Sequence, residues 1–369
     1  MEFMIGHDVS TLLSVEASGG VFYDKGKADD ALEILRRYGA NYVRLRLWND
    51  PYDENGTPYG AGTCDLKAVL ELARRAKEKG MKWLLDFHYS DFWADPGKQY
   101  PPKAWHGFDA DQLEQAVYDF TRETVLSCAA AGLTPDMVQV GNEVTNGLLW
   151  PLGQKPNFDN ISKFVNAGVR AVRETAPETL VMIHLDNGGN HPMYVEWFDN
   201  FFARGGDCDV IGLSYYPVWH GKISELRTNM LDIAPRYGKP LILVEVSHAF
   251  TLDSYAKWEG REDRKGAAAK ANIEKNLEYP VTPEGQVQFL RDLLNLLDEI
   301  PNGLGKGICW WESAWIPVPN VGWAEEAGWT YVNEQGPGGN EWANQTLFDF
   351  DGNALPALQV LRDHKISKA

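Results

Sequence analysis

Basic charge is what this 369-residue sequence has least of relative to its opposite: 35 lysines and arginines stand against 52 aspartates and glutamates, a formal net charge of −17. That balance excludes nucleic acid and an anionic membrane surface as partners, and it suits a protein acting on neutral or cationic ligands. Cysteine is scarce too. Cys64, Cys128, Cys208 and Cys309 lie far apart with no C-x-x-C pair, so they signal neither a zinc cluster nor a disulfide framework and read as buried free thiols. No apolar run is long enough to span a bilayer, and the opening MEFMIGHDVS has neither the basic region nor the apolar stretch of a signal peptide, so no membrane insertion is expected. A secreted protein whose leader had been removed reads the same way, which leaves the compartment open. No G-x-G-x-x-G follows an apolar run and no G-x-x-x-x-G-K-[ST] occurs, so nucleotide binding has no support. H-E-x-x-H and the D-x-[DN]-x-[DN]-G loop are also missing, and neither a catalytic metal, a structural calcium nor any cofactor is expected.

What the sequence does have is rhythm. Eight short β-rich apolar runs recur: FMIGHDVS from Phe3, NYVRLRLW from Asn41, KWLLDFHY from Lys82, DMVQVGNE from Asp136, LVMIHLDN from Leu180, VIGLSYYP from Val210, LILVEVSH from Leu241 and GICWWESA from Gly307. Between them lie helical patterns such as Asp29 to Ala40, Asp65 to Gly80 and Gln286 to Ile300, with apolar residues at i, i+3 and i+4. Asp65 stands at an N-cap position and Gly80 just past a basic last turn. Strand and helix alternating eight times predict an α/β fold, a single (β/α)8 TIM barrel, with a doubly wound sheet as the structural alternative. There is no internal repeat and no Pro- or Ser-rich linker, so residues 1–369 are read as one catalytic domain. Long loops are expected after strands seven and eight, Phe250 to Pro280 and Ile316 to Ala354.

A barrel of this kind builds its active site at the C-terminal ends of its strands. Strand four ends in Asn142-Glu143 and strand seven in Val244-Glu245, each glutamate set inside apolar sequence where an unpaired charge is costly. Strands four and seven lie nearly opposite in an eight-strand ring. Two carboxylates facing each other there are the minimum machinery for glycoside hydrolysis. A buried ion pair with Arg44 or Arg46 is the structural alternative, and the two readings are compatible. Strand two alternates Arg44, Arg46 and Trp48 on one face, and Arg46, nearer the strand end, is the better placed to fix a carboxylate. Strand three ends at His88, which reads equally as a rim imidazole or as a structural histidine. Trp48, Trp93, Trp105, Trp150, Trp219, Trp311, Trp315 and Trp323 fall at or beyond strand ends, where flat rings cover the C–H faces of sugars or simply fill core. His7-Asp8, His88 and His184-x-Asp186 were the only residues to weigh as metal ligands, and their spacing is weak.

The segments VRLRLWNDP, LLDFHYSDFWADPGKQ, VQVGNEVTNGLLWP, IHLDNGG, IGLSYYPVWHG and WWESAWIPV together resemble glycoside hydrolase family 53, the arabinogalactan endo-β-1,4-galactanases, from about Asp8 to Phe350. The resemblance implies a retaining enzyme with Glu143 as general acid/base and Glu245 as nucleophile. It implies that Asn142 bonds the sugar 2-hydroxyl, that Arg46 and Tyr216 hold the nucleophile ionised, and that His88 supports the same network. Trp311 would floor the subsite of the cleaved sugar, Trp93 would stack on a neighbouring galactose, and Asp186 and Asn187 would offer polar contacts. The implied partner is neutral β-1,4-galactan, met by a monomer outside the cytoplasm or at the cell surface. The run Glu245-Val246-Ser247-His248-Ala249-Phe250 departs from the family's usual pattern after the nucleophile, and the loop from Thr251 to Pro280, which reads as charged and partly helical, lacks the spacing of a calcium site.

Overall fold

The computed structural model describes residues 1–60, 62–260, 277–334 and 339–368. Eight parallel strands close into a barrel: β1 Met4–Asp8, β2 Tyr42–Leu47, β3 Lys82–Phe87, β4 Met137–Val140, β5 Leu180–Leu185, β6 Val210–Tyr215, β7 Leu241–Val246 and β8 Gly305–Trp310. Each pairs with its successor in sequence, and β8 returns to β1 with Gly6 opposite Cys309 and His7 opposite Trp310. Every strand is covered on its outer face by helices, which is why the runs read as almost continuously apolar.

The barrel interior is built in layers of contrasting chemistry. Its lower part is apolar, filled by residues such as Met4, Tyr42, Leu84, Met137, Met182 and Val210. One or two pleats further along the same strands, the inward positions become Asp8, Arg44, Asp86, Gln139, His184 and Ser214, all buried. The ionic layer lies under the C-terminal mouth. On β7 strict alternation would fail to deliver a carboxylate there, because Val244 already packs with the lower interior cluster. A one-residue shift in pairing, from Leu213 opposite Leu243 to Ser214 opposite Glu245, turns Glu245 inward as well.

The helix expected between Asp65 and Gly80 spans Leu66–Glu78. The Asp65 side chain accepts from the Ala68 amide at 2.8 Å, and Gly80 follows with φ +74°. Its face of Val69, Leu72, Ala73 and Ala76 is buried against the barrel. The helix expected from Asp29 is shorter, Ala31–Arg37 with Asp30 as its cap. Asp29 instead closes a small antiparallel ribbon, Phe22–Asp24 with Lys27–Asp29, turned through Lys25 and Gly26 at positive φ. The long excursions after β7 and β8 are present and touch each other. The Glu259 carboxylate accepts from the Asn340 amide at 2.7 Å, and Asn344 Nδ2 donates to the Thr251 carbonyl at 2.9 Å. The first excursion was expected to be charged and partly helical, and residues 261–276 of it lie outside the described residues. All four cysteines are free and buried. Among the described residues no helix is long and apolar enough to cross a membrane.

Candidate active site

The turn after β4 delivers Glu143. Gly141 takes φ +82°, where an added Cβ would sit 2.6 Å from Val144 Cγ1, and Glu143 itself is held at φ +46° in the left-handed region. For a non-glycine residue that conformation costs about 1–3 kcal/mol and persists only where the surroundings impose it. Here Gln99 Nε2 donates to the Asn142 carbonyl at 2.8 Å, and Ser214 Oγ lies 2.6 Å from Glu143 Oε1. The carboxyl is 8% exposed and opens into a cleft at the barrel mouth.

Glu245 faces it from β7 in a different setting. Its Oε1 lies 2.8 Å from Arg44 Nη1, and its Oε2 accepts from the Tyr216 hydroxyl at 2.7 Å. Arg44 is fully buried and also reaches Asp8 at 3.0 Å and Asp86 at 2.8 Å, while its Nη2 donates to Asn142 Oδ1. A carboxylate oxygen of Glu143, one of Glu245 and a ring nitrogen of His184 all lie within 4.8 Å of one another.

These environments push the two carboxyls apart. Burial, then the charge of Glu245, then that of Asp186 raise Glu143 well above the ordinary carboxyl range. Burial also raises Glu245, to about 6, but there Arg44 and the Tyr216 hydroxyl pull the other way. The group that keeps its proton longer is Glu143. The arrangement is a proton donor beside an anion, with room between them for a bond to break.

Aromatic rings wall the cleft. Trp93 stacks on Trp323, centroids 4.5 Å apart at 17°, and Trp311 meets Trp342 edge-on at 4.5 Å. Trp219 stands at the rim, 54% exposed, with Tyr216 beside it. Of the eight tryptophans expected near the rim, Trp93, Trp219, Trp311 and Trp323 line the cleft. Trp48 and Trp315 are wholly buried, and Trp105 and Trp150 lie outside the lining.

His88 and Asp186 join the lining, as does Asn142, whose Nδ2 donates to the Ala94 carbonyl at 2.9 Å. Asn187 is half-buried beside Asp186 at φ +49° and lies outside the lining. His88 Nε2 is 3.2 Å from Asp86 Oδ2, which ties it to the Arg44 network. Arg46 requires a correction. It does not hold Glu245; its Nη2 pairs with Glu312 at 2.9 Å, and its guanidinium carbon lies 4.2 Å from the centre of the Trp93 ring. Both arginines point inward, but Arg44 sits one pleat deeper, in the plane where β1, β3 and β7 offer carboxylates. Arg46 lies higher and turns past β1 to the end of β8.

Sequence reasoning missed Glu312, Ser214 and Trp342. Glu312 is fully buried at φ +47° and accepts from the Thr11 hydroxyl at 2.7 Å. The signal that exposed Glu143 and Glu245, a glutamate just past an apolar strand, was equally present in CWWES. His184, weighed only as a metal ligand, lies between Asn142 and Ser214, so both ring nitrogens are already engaged. His7 and His88 do not converge with it. Among the described residues the one group whose donor atoms gather closely enough for an ion is Glu143, His184 and Glu245.

The sequence profile of glycosyl hydrolase family 53 matches residues 4–361. An endo-beta-1,4-galactanase of Bacillus subtilis (strain 168) is 36% identical over 98% of this chain and 86% of its own length. An arabinogalactan endo-beta-1,4-galactanase of Cellvibrio japonicus is 34% identical over 96% of this chain and 89% of its own. Among solved structures, a GH53 catalytic domain of Ignisphaera aggregans superposes with a TM-score of 0.90 at 39% identity, covering 98% of this chain and 96% of that one.

Proposed function

The chain belongs to glycosyl hydrolase family 53 and is a glycoside hydrolase, and from that premise we propose that it cleaves internal β-1,4-galactosidic bonds of galactan with retention of configuration. The observation that carries the reading is the carboxyl pair, Glu143 and Glu245, with oxygens within 4.8 Å and contrasting partners. Such a separation fits the roughly 5–5.5 Å of retaining enzymes, not the wider gap that admits a water in inverting ones.

In this mechanism Glu245 Oε attacks the anomeric carbon while the glycosidic C–O bond breaks and the departing oxygen takes the proton of Glu143. Arg44 and Tyr216 keep the attacking oxygen ionised and aimed. A galactosyl ester of Glu245 results. Esterification removes the negative charge that raised Glu143, which then accepts a proton from water as its oxygen displaces the ester. Asn142 bonds the 2-hydroxyl, an interaction that strengthens as positive charge develops on the ring. Trp311 floors the cleaved sugar's subsite, Trp93 with Trp323 stacked on it walls a neighbouring one, Asp186 offers the chain a polar contact, and His88 supports the network beneath through Asp86. The whole chain, 1–369, acts as one catalytic unit and as a monomer, outside the cytoplasm where polysaccharide is met.

Reducing-sugar release from linear β-1,4-galactan tests this. Wild type cleaves it, and Glu143→Ala and Glu245→Ala nearly abolish cleavage. Azide restores turnover by Glu245→Ala with an α-galactosyl azide product, whereas intact galactan beside cut mannan or cellulose overturns the substrate assignment.

A further inference from the structure

Ser214 Oγ lies between two groups: Glu143 Oε1 at 2.6 Å and His184 Nε2 at 2.8 Å. The third contact, to Glu245 Oε2 at 3.5 Å, is too long to compete. Which atom carries each hydrogen along this line is fixed from its far end. Asn142 Oδ1 faces Arg44 Nη2 at 2.8 Å, and a guanidinium only donates; Asn142 Nδ2 faces the Ala94 carbonyl, which only accepts. Asn142 therefore presents its oxygen to His184 Nδ1, 3.1 Å away, so Nδ1 bears the hydrogen. His184 is fully buried, and burial first, then the positive charge of Arg44, disfavour a second proton on the ring. Nε2 is thus an acceptor, and the hydrogen it receives is that of the Ser214 hydroxyl. A hydroxyl has one hydrogen. While it points at His184, Ser214 Oγ can only accept from Glu143, and Glu143 must be the carboxylic acid.

We propose that Ser214 is a two-position hydrogen donor that follows the protonation state of Glu143, with His184 as its resting acceptor; both are positioning residues of the acid/base. With the hydroxyl turned to His184, a lone pair receives the Glu143 hydrogen and supports the acid. As substrate binds, that hydrogen leaves the Ser214 lone pair for the leaving oxygen, and once it has been transferred the Ser214 hydrogen swings to Glu143 Oε1 and supports the carboxylate as a base. Ser214 keeps its own hydrogen throughout, so the only proton transferred is that of Glu143, which goes to the leaving group and is replaced from water. The inference rests on Glu143 being the acid/base. The charged and titratable groups facing Glu143 are Glu245, Asp186 and Asp95, with the Tyr216 and Tyr194 hydroxyls alongside, and those facing His184 are Arg44, His88 and His220 together with the Glu143 and Glu245 carboxyls.

The test is the pH profile of kcat/KM on galactan for wild type, Ser214→Ala, Ser214→Thr, His184→Phe and the double variant His184→Phe/Ser214→Ala. The basic limb reports ionisation of the acid in the free enzyme. His184→Phe removes the resting acceptor, so the hydroxyl donates to Glu143 at all times, stabilises the carboxylate and lowers the basic limb by about one pH unit. Ser214→Ala removes the donor and moves the limb upward, Ser214→Thr restores it, and the double variant follows Ser214→Ala. A downward shift that persists in the double variant, or an unmoved limb in folded His184→Phe, overturns the proposal. If circular dichroism shows His184→Phe unfolded, the serine pair decides: an upward shift in Ser214→Ala reversed in Ser214→Thr supports it, and an unmoved limb sinks it. Wild-type galactan cleavage and its loss in Glu143→Ala are the controls. If they fail, the acid/base reading fails; if they hold while the limbs stay put, only the role of Ser214 falls.

Discussion

Arg44 Nη1 and Glu245 Oε1 lie 2.8 Å apart at the centre of the barrel mouth, and the same guanidinium also serves Asp8 and Asp86. Glu245 is held by an arginine that it shares with two structural carboxylates. Arg44→Lys keeps a positive charge but cannot span three partners from one planar head. Burial raises Glu245, to about 6 even with Arg44 and the Tyr216 hydroxyl pulling it down, so weakening Arg44 raises it further. In the proposed mechanism Glu245 works ionised, and activity on the acid side is therefore lost at a higher pH: the acidic limb of kcat/KM moves up by about one unit. An acidic limb that stays in place in the variant would show that Tyr216 alone sets the ionisation.

The pair Arg46 and Glu312 is read through stability. Glu312→Ala takes from buried Arg46 its nearest carboxylate and lowers unfolding stability by about 3–5 kcal/mol. Glu312→Gln costs much less, because burial pushes the Glu312 carboxyl up to about 7, the amide oxygen still accepts from Arg46, and the amide NH2 can donate to the Thr11 hydroxyl oxygen. Denaturant midpoints of the two variants settle the order; equal losses would contradict it.

Trp219 offers a clean separation of binding from folding, since more than half of its surface is exposed at the cleft rim. Trp219→Ala raises KM for galactan by about tenfold, equivalent to roughly 1.4 kcal/mol of lost contact, and leaves the melting temperature unchanged. A fall in melting temperature with KM intact would make Trp219 a packing residue.

His7 governs acid tolerance. It is fully buried on β1, neither ring nitrogen has a hydrogen-bond partner among the described residues, and burial holds its pKa at about 3 against 6.5 in an open chain. The unfolded chain binds a proton here below pH 6.5 while the folded one does not. Its contribution is therefore fully present above pH 6.5 and is lost, at about 1.4 kcal/mol per pH unit, as pH falls towards 3. His7→Phe flattens the fall in melting temperature over that window, and an equally steep fall in the variant refutes the role.

The architecture was legible because each β-run carries its own boundaries and because alternation with helices admits few topologies. That Glu143 and Glu245 face each other at the mouth was legible for a related reason: both interrupt apolar sequence. What the sequence could not show is partnership. Arg44 and Arg46 both lie between apolar residues of one strand, and only the barrel's depth assigns Arg44 to Glu245 and Arg46 to Glu312. Ser214 looks like any strand serine until the pairing shift on β7 sets Glu245 opposite it. Trp342 lies more than thirty residues beyond β8 and reaches the cleft through a loop path that local pattern does not encode.

The left-handed backbone at Glu143 sets the enzyme's durability against its turnover. A residue that relieves that strain, glycine above all, would make the folded protein more heat-resistant while removing the carboxyl proposed to protonate the leaving sugar. Screening variants of this chain for thermal survival alone would thus tend to collect inactive proteins at position 143, and a search for a sturdier galactanase has to score cleavage in the same assay.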